Sequence, residues 1–147
     1  TFSDGAVGVT ALRIANTKAG LDFLPALALG ILCNALVCLA VWMTYSARSV
    51  MDKIAAIVIP ISAVGAAGFE HSIANMYFVP IGLFIKNFDP AFMASDAVIK
   101  AGLDLSNLTW GSFLLNNLLP VTIGNIIGGA ILVAAIYWSV FLRGSEQ

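Results

Sequence analysis

Three long apolar segments constrain the fold of this chain more than any other feature of its sequence. They cover residues 23–45, 54–85 and 113–142. An α-helix rises about 1.5 Å per residue, so each segment is long enough to cross a hydrocarbon layer of about 30 Å. Of the seven Lys and Arg and eight Asp and Glu residues, only Glu70 lies inside them. This distribution predicts an all-α membrane protein with three transmembrane spans.

The composition supports the same class and excludes others. Hydrophobic residues make up 60% of the 147 residues and charged residues 10%, whereas soluble domains carry about 25% charged residues. The net charge of −1 gives no indication of a nucleic-acid partner. Cys33 and Cys38 would point about 140° apart on one helix, which indicates apolar packing rather than a disulfide. The chain begins with Thr1 instead of Met, so we expect the natural N-terminus to lie upstream.

Basic residues in the connecting segments indicate which side of the membrane these segments occupy. The short segment 46–53 carries Arg48 and Lys53, and the tail 143–147 carries Arg143. Three spans place both segments on the same side. Their density of positive charge predicts that this side is cytoplasmic.

The opposite, outer side is then formed by a linking segment, residues 1–22, and a long loop, residues 86–110. Within the loop, Asp89 precedes Pro90, a pair typical of an N-cap and a first helical turn. We therefore expect a short amphipathic helix in this loop, lying at the membrane surface.

Two of the three apolar segments carry polar or helix-breaking residues near their centres. In the second segment these residues form GFEHSIAN, residues 68–75, and in the third they include Pro120 and TIGNIIGG, residues 122–129. A helix breaks inside a membrane only where the freed backbone groups are buried in protein or line a water-filled cavity. Broken helices commonly build transport sites near the membrane centre. The pattern predicts two broken spans and a translocation path.

His71 is the single histidine of the chain and lies in the first of these breaks. An ionisable side chain inside a membrane is costly and usually faces a transport pathway or a bonding partner. Two interpretations remain open for His71: a pathway residue, or a buried histidine that bonds Glu70 or Asn75 and ties the break together. Glu70 is predicted to tether the backbone rather than to line the path.

Two asparagines and one lysine complete the set of candidate residues. Asn34 and Asn125 lie near the centres of the first and third segments, so they either meet His71 in one polar layer or form ordinary bonds between helices. Lys18 precedes the first span and either attracts anions to the outer mouth or extends to the membrane edge. The GxxxG pair Gly124 and Gly128 predicts close helix packing, within this chain or between subunits.

An enzyme is the rival class. His71 and Glu70 would serve as acid and base, but Ser72 adjoins His71 too closely to suggest a nucleophile of a triad. No combination of one histidine with separated cysteines indicates a metal site. The sequence therefore predicts neither an enzyme nor a bound cofactor.

Four stretches resemble the formate/nitrite transporter family, and its formate-channel branch most: NTKAGLDF, LCNALVCLAVWM, GFEHSIANMYFVPIGL and VTIGNIIGG. The resemblance implies an aquaporin-like channel built from six spans in two inverted halves. It also implies a homopentamer in the bacterial inner membrane, in contact with lipid, with a pore in each protomer and a cytoplasmic C-terminus. The present chain corresponds to the second half. The N-terminal half, on the same or a companion chain, is then needed to complete the pore.

The resemblance also implies roles for individual residues. His71 corresponds to the central pore histidine, and Asn34, Glu70 and Asn125 match residues around it. Lys18 matches a lysine that makes the path electropositive. Two apolar positions, Val37 and Val64, correspond to a constriction on the cytoplasmic side.

The function implied is passage of formate through the pore. Histidine suits this task because its ordinary pKa, about 6.5, is close to physiological pH. We expect His71 to hydrogen-bond or protonate formate, with Asn34, Asn125 and Glu70 orienting the imidazole, and with Asn75 lying behind them, away from the path. Nitrite, hydrosulfide and acetate remain alternative substrates, because they too are small anions of weak acids.

Overall fold

The computed structural model describes residues 2–143, apart from the side chain of Phe2. Within this range the regular structure is helical, and no strand occurs. A short turn, Phe2–Gly5, is followed by helices α1 Ala6–Ala19, α2 Phe23–Met43, α3 Val50–Ala66, α4 Ser72–Phe88, α5 Pro90–Met93, α6 Asp96–Ala101 and α7 Ser112–Leu142. The chain forms two compact units, the first made of Thr1–Phe23 and Ile73–Leu119, the second of Leu24–Ser72 and Pro120–Gln147.

The first unit has a hydrophobic core to which four helices and a loop contribute. Its members are Leu12, Ala15 and Ala19 of α1, Val79 and Leu83 of α4, Val98 of α6, Leu108 of the loop, and Phe113 of α7. The prediction of a loop-like linking segment at residues 1–22 is wrong, because this segment contains the 14-residue helix α1. Its buried face consists largely of alanine, which gives a weak hydrophobic signal but allows a close approach to Gly82 of α4.

The second unit is held together by close packing of α2 against α7. A β-carbon added at Gly30 of α2 would lie 2.9 Å from the carbonyl oxygen of Val121. One added at Gly128 would overlap the carbonyl of Ile31. The GxxxG pair Gly124 and Gly128 therefore serves packing within this chain, which decides between the two alternatives that the sequence left open.

Helix α7 is continuous from Ser112 to Leu142, so the predicted break in the third apolar segment is wrong. Its winding is π-helical in three stretches, Ser112–Leu118, Ile127–Ala135 and Trp138–Leu142, and α-helical over Leu119–Ile126, which contains Pro120. In the first of these stretches, the N–H of Leu119 donates to the carbonyl of Leu114.

The second apolar segment is divided into α3 and α4 by residues 67–71. Each of the two helices has 17 residues and an internal proline, Pro60 or Pro80. Helix α3 is apolar, yet it buries none of its residues within the chain.

Two helices are long and apolar enough to cross a membrane by length and composition. They are Phe23–Met43, with a mean hydropathy of 2.4, and Ser112–Leu142, with 2.0. The third predicted span corresponds to α3 and α4 together, and each of these is about 25 Å long.

The long loop is anchored to α4. The Asp89 carboxylate accepts a hydrogen bond of 2.9 Å from the N–H of Phe92 and caps α5, as the Asp-Pro pair predicted. The expected single short helix is divided into α5 and α6. At the end of α4, the ammonium of Lys86 donates to the carbonyls of Leu105 and Leu108 at 2.7 and 2.8 Å, which fixes the return of the chain toward α7.

Candidate functional site

The break between α3 and α4 begins with a Schellman turn. Helix α3 ends at Ala66, Ala67 is its C-cap, and Gly68 follows with a φ of 68°. The N–H of Gly68 bonds the carbonyl of Gly65 at 3.2 Å, and the N–H of Phe69 bonds that of Val64 at 3.1 Å. This pair of bonds satisfies the last carbonyls of α3 and stops the helix, and the positive φ favours glycine.

Asn125 of α7 holds the backbone on both sides of His71. Its side-chain oxygen accepts hydrogen bonds from the N–H and the hydroxyl of Ser72, at 3.0 and 3.1 Å. Its side-chain nitrogen donates to the carbonyls of Glu70 and Gly30, at 3.1 and 2.9 Å. The side chain is 6% exposed. Four bonds occupy both N–H donors and both lone pairs of this amide, so nothing remains for a ligand.

Asn34 supports the break indirectly, through Asn125. Its side-chain nitrogen donates to the main-chain carbonyl of Asn125 at 2.7 Å. The same side chain lies against Gly129, where a β-carbon would approach its nitrogen closely. The bond between Asn34 and Asn125 is thus an ordinary bond between helices, by which α2 supports α7 and α7 supports the break.

The imidazole of His71 is half-buried. Within residues 2–143, neither Asn34 nor Asn125 bonds the ring, although we expected both to orient it. They hold its backbone instead. Glu70 is 3% exposed, and its carbonyl belongs to the same network. His71 directly precedes α4, whose first N–H groups form the positive end of the helix dipole.

The two constriction candidates lie on helices of the second unit and are both half-buried. Val37 follows Asn34 by one turn of α2, and Val64 belongs to the last turn of α3. Between residues 2 and 143, no three His, Cys, Asp or Glu side chains are grouped so that they could hold a metal ion.

A second amide pair lies in the first unit. Asn75 of α4 donates to the side-chain oxygen of Asn117 at 2.8 Å, and Asn117 donates to the main-chain carbonyl of Lys18 at 2.9 Å. Both asparagines are 0% exposed. Lys18 is half-buried near the C-terminal end of α1.

Asn117 is a buried polar residue that was not among the candidates predicted from the sequence. A signal was available, because the buried residues Phe113, Asn117, Val121, Gly124 and Gly128 recur every three or four positions along α7. This spacing assigns Asn117 to the packed face of the helix and its exposed neighbour Asn116 to the other.

The chain matches the family model described as formate/nitrite transporter over residues 1–139. It is 48% identical over 146 residues to the formate channel FocA of Escherichia coli strain K12, an alignment that covers 99% of this chain and 50% of that protein. It is 44% identical over 111 residues to a probable formate transporter of Methanothermobacter thermautotrophicus, covering 76% of this chain and 33% of that protein. A solved structure described as a pentameric formate channel with formate bound superposes with a TM-score of 0.83 at 42% identity, covering 97% of this chain and 56% of that one.

Three of these four similarities extend over nearly the whole chain. The chain spans about half the length of the curated formate channels that it matches. The similarities confirm the resemblance inferred from the four sequence stretches and the all-helical fold. The chain belongs to the formate/nitrite transporter family.

Proposed function

We propose that this chain forms part of a membrane channel through which formate passes. The observation that carries the proposal is the break before α4, where one buried amide fixes the backbone on both sides of the single histidine. The relatives support formate as the substrate, since two proteins that are 48% and 44% identical over 99% and 92% of this chain are named formate channels. The function is passage of a small anion and not an enzymatic reaction.

Attraction of the anion is the first step. Lys18 contributes positive charge at the outer mouth, and the start of α4 contributes the positive end of a helix dipole. Together they raise the local concentration of formate without any covalent chemistry.

His71 provides the second step. Moving an isolated carboxylate through apolar surroundings costs several kcal/mol or more. Formate that accepts a hydrogen bond from His71 carries less uncompensated charge. Formate that accepts a proton from the imidazolium becomes neutral formic acid and leaves a neutral imidazole. In either form it passes the apolar constriction at Val37 and Val64, and a transferred proton is released beyond it.

The complete channel requires more than this chain. We propose an aquaporin-like protomer of six spans in two inverted halves, of which this chain supplies three spans and an N-terminal half the rest. Five such protomers form a homopentamer in the bacterial inner membrane, surrounded by lipid, with a cytoplasmic C-terminus. Support comes from the similarity to a solved structure described as a pentameric formate channel.

The test is formate flux into proteoliposomes containing the natural full-length protein, measured from external pH 5 to 8. We expect flux to depend steeply on pH and the His71→Asn variant to lose that dependence. Met76→Leu, at an exposed position one turn into α4, is the matched control. Competition by nitrite, hydrosulfide and acetate ranks the substrates. A pH-independent flux in the parent would remove the proton-transfer step and leave an anion channel. No formate flux at all would overturn the proposed function.

A further inference from the structure

The buried side chain of Asn117 has no part in the steps described above. It is 0% exposed and lies among the core residues of the first unit. Burying an amide costs free energy unless its donors and acceptors are bonded, so the position of such a group is determined by its partners. Those partners connect three helices of the unit.

Two side-chain hydrogen bonds link α4 to α7 and α7 to α1. Asn75, in the first turns of α4, donates to Asn117 of α7, and Asn117 donates to the carbonyl of Lys18. The end of α1 is a place where such a bond matters. The last four carbonyls of a helix have no partner within the helix itself. The backbone bond that Lys18 receives there, from the N–H of Leu21, is long at 3.4 Å, so the 2.9 Å bond from Asn117 is the shorter of the two.

The packed face of α7 directs Asn117 toward this carbonyl. Asn117 lies in the π-helical stretch Ser112–Leu118, together with the buried Phe113, while the adjacent Asn116 is exposed. Adjacent residues of a helix point about 100° apart, so the packed face of α7 takes one of the two neighbouring asparagines, which supports α1, and leaves out the other.

We propose that Asn117 is a positioning residue for Lys18. Its amide, held by Asn75, fixes the last turn of α1 and thereby the starting point of the Lys18 side chain. The bulk of α1 is positioned separately, by the packing of Leu12, Ala15 and Ala19. Asn117 therefore determines the local geometry of the helix end rather than the docking of the helix. The consequence for transport rests on the proposed role of Lys18 in attracting formate.

The first test measures the helix end directly, by hydrogen exchange of the amides of Gly20 and Leu21, which bond the carbonyls of Asn16 and Lys18. The variants are Asn117→Leu and, as the matched control, Asn116→Leu in the full-length protein. We expect exchange about fivefold to tenfold faster in Asn117→Leu only. Equal exchange in the two variants would overturn the proposal. Asn117→Asp keeps the acceptor for Asn75 but loses the donor to Lys18, and replaces Asn117→Leu if that variant does not assemble.

The second test separates positioning from general damage, using the formate concentration at half-maximal flux and its dependence on ionic strength. Lys18→Gln is expected to raise this concentration about threefold to tenfold at low salt and to flatten the salt dependence. Asn117→Leu should do the same, with a smaller effect on maximal flux, and the double variant should equal Lys18→Gln alone. Full additivity would overturn the positioning role. If Lys18→Gln has no effect, the attraction step of the proposed function fails, while the exchange experiment still decides whether Asn117 fixes the end of α1.

Discussion

Helices α3 and α4 begin in opposite ways. Helix α3 is capped by residues at its own N-terminus. The Ser49 hydroxyl accepts a hydrogen bond from the N–H of Asp52 at 3.1 Å, and the Asp52 carboxylate accepts one from the N–H of Ser49 at 3.0 Å. All of these groups are exposed. Helix α4 is capped by a residue 53 positions later in the sequence, since the N–H of Ser72 donates to the buried side chain of Asn125.

The two helix starts differ in how far along the sequence their capping residues lie. A capping box is formed within four consecutive residues and involves no partner outside them. The cap of α4 needs α2 and α7 to be packed first, because Asn125 also bonds Gly30 and receives a bond from Asn34. The start of α3 is therefore a local property, and the geometry around His71 is a property of the tertiary structure.

Removing the side chain of Asn125, the distant cap of α4, should have the largest effect on stability and on flux. Asn125→Leu removes the hydrogen bonds that this side chain makes with three buried groups, the carbonyl of Glu70 and the N–H and hydroxyl of Ser72. The carbonyl of Gly30 keeps its bond within α2. Each of the three buried groups costs about 1–3 kcal/mol when it loses its partner, so we expect a loss of roughly 3 kcal/mol or more and loss of the pH dependence of formate flux. Thermal unfolding in detergent and flux in proteoliposomes measure the two effects.

The control for this substitution is Ile126→Leu, at the exposed neighbouring position, which should behave like the parent. Asn125→Asp should be intermediate, since it keeps the acceptor for Ser72 and loses both donors. A stable Asn125→Leu protein with the parental pH profile would show that the start of α4 does not depend on this amide.

Disturbing the helix packing that supports the distant cap should have the next largest effect. In Gly128→Ala, the added methyl group would overlap the main chain of Ile31 and force α2 and α7 apart. Such overpacking costs about 1–3 kcal/mol and should weaken the bond from Asn34 to Asn125. The measurement is again the unfolding temperature, with faster amide exchange at Ser72 as the specific readout.

Gly65→Ala is the matched control, because a β-carbon at Gly65 meets nothing within 4 Å. In a helix, this change should leave stability unchanged or raise it slightly. Equal destabilisation by the two substitutions would contradict the link between close packing of α2 on α7 and the cap of α4.

Removing the local cap should have the smallest effect. Ser49→Ala is expected to cost about 1 kcal/mol near neutral pH and to leave flux through the pore unchanged. Hydrogen bonds from the side chain and backbone of Ser49, and from the backbone of Arg48, lower the pKa of Asp52 below its ordinary value of 3.8. A carboxylate with a lowered pKa in the folded state stabilises that state above the ordinary pKa, and this contribution disappears as the pH falls through the folded-state pKa.

The difference in unfolding temperature between parent and Ser49→Ala should therefore be largest near pH 7 and shrink below pH 4. A difference that grows on acidification would contradict the capping box. A pH profile of formate flux altered by Ser49→Ala would contradict the separation between local and distant caps.

The same distinction explains how much the sequence predicted. The break around His71 was predictable because polar residues and Gly68 interrupt an apolar run, and Asn34 and Asn125 stood out as polar residues at similar depth. The bonding of Asn125 to backbone rather than imidazole was not predictable, since a buried amide accepts many partners. Pro120 suggested a break because a proline inside a helix removes a backbone hydrogen bond, but α7 continues past it from Ser112 to Leu142. Helix α1 was not predicted because its buried face consists largely of alanines, which give a weak hydrophobic pattern.

Helix α3 has a consequence for how this sequence can vary. Since α3 buries no residue within the chain, its contacts with residues 2–143 impose little restriction on side-chain shape, and any apolar residue with good helix propensity satisfies them. A position in α3 that nonetheless accepts one residue type only must contact something else in the assembled protein. A saturation mutagenesis scan of α3, scored by growth that depends on formate passage, would therefore map the neighbours of this helix.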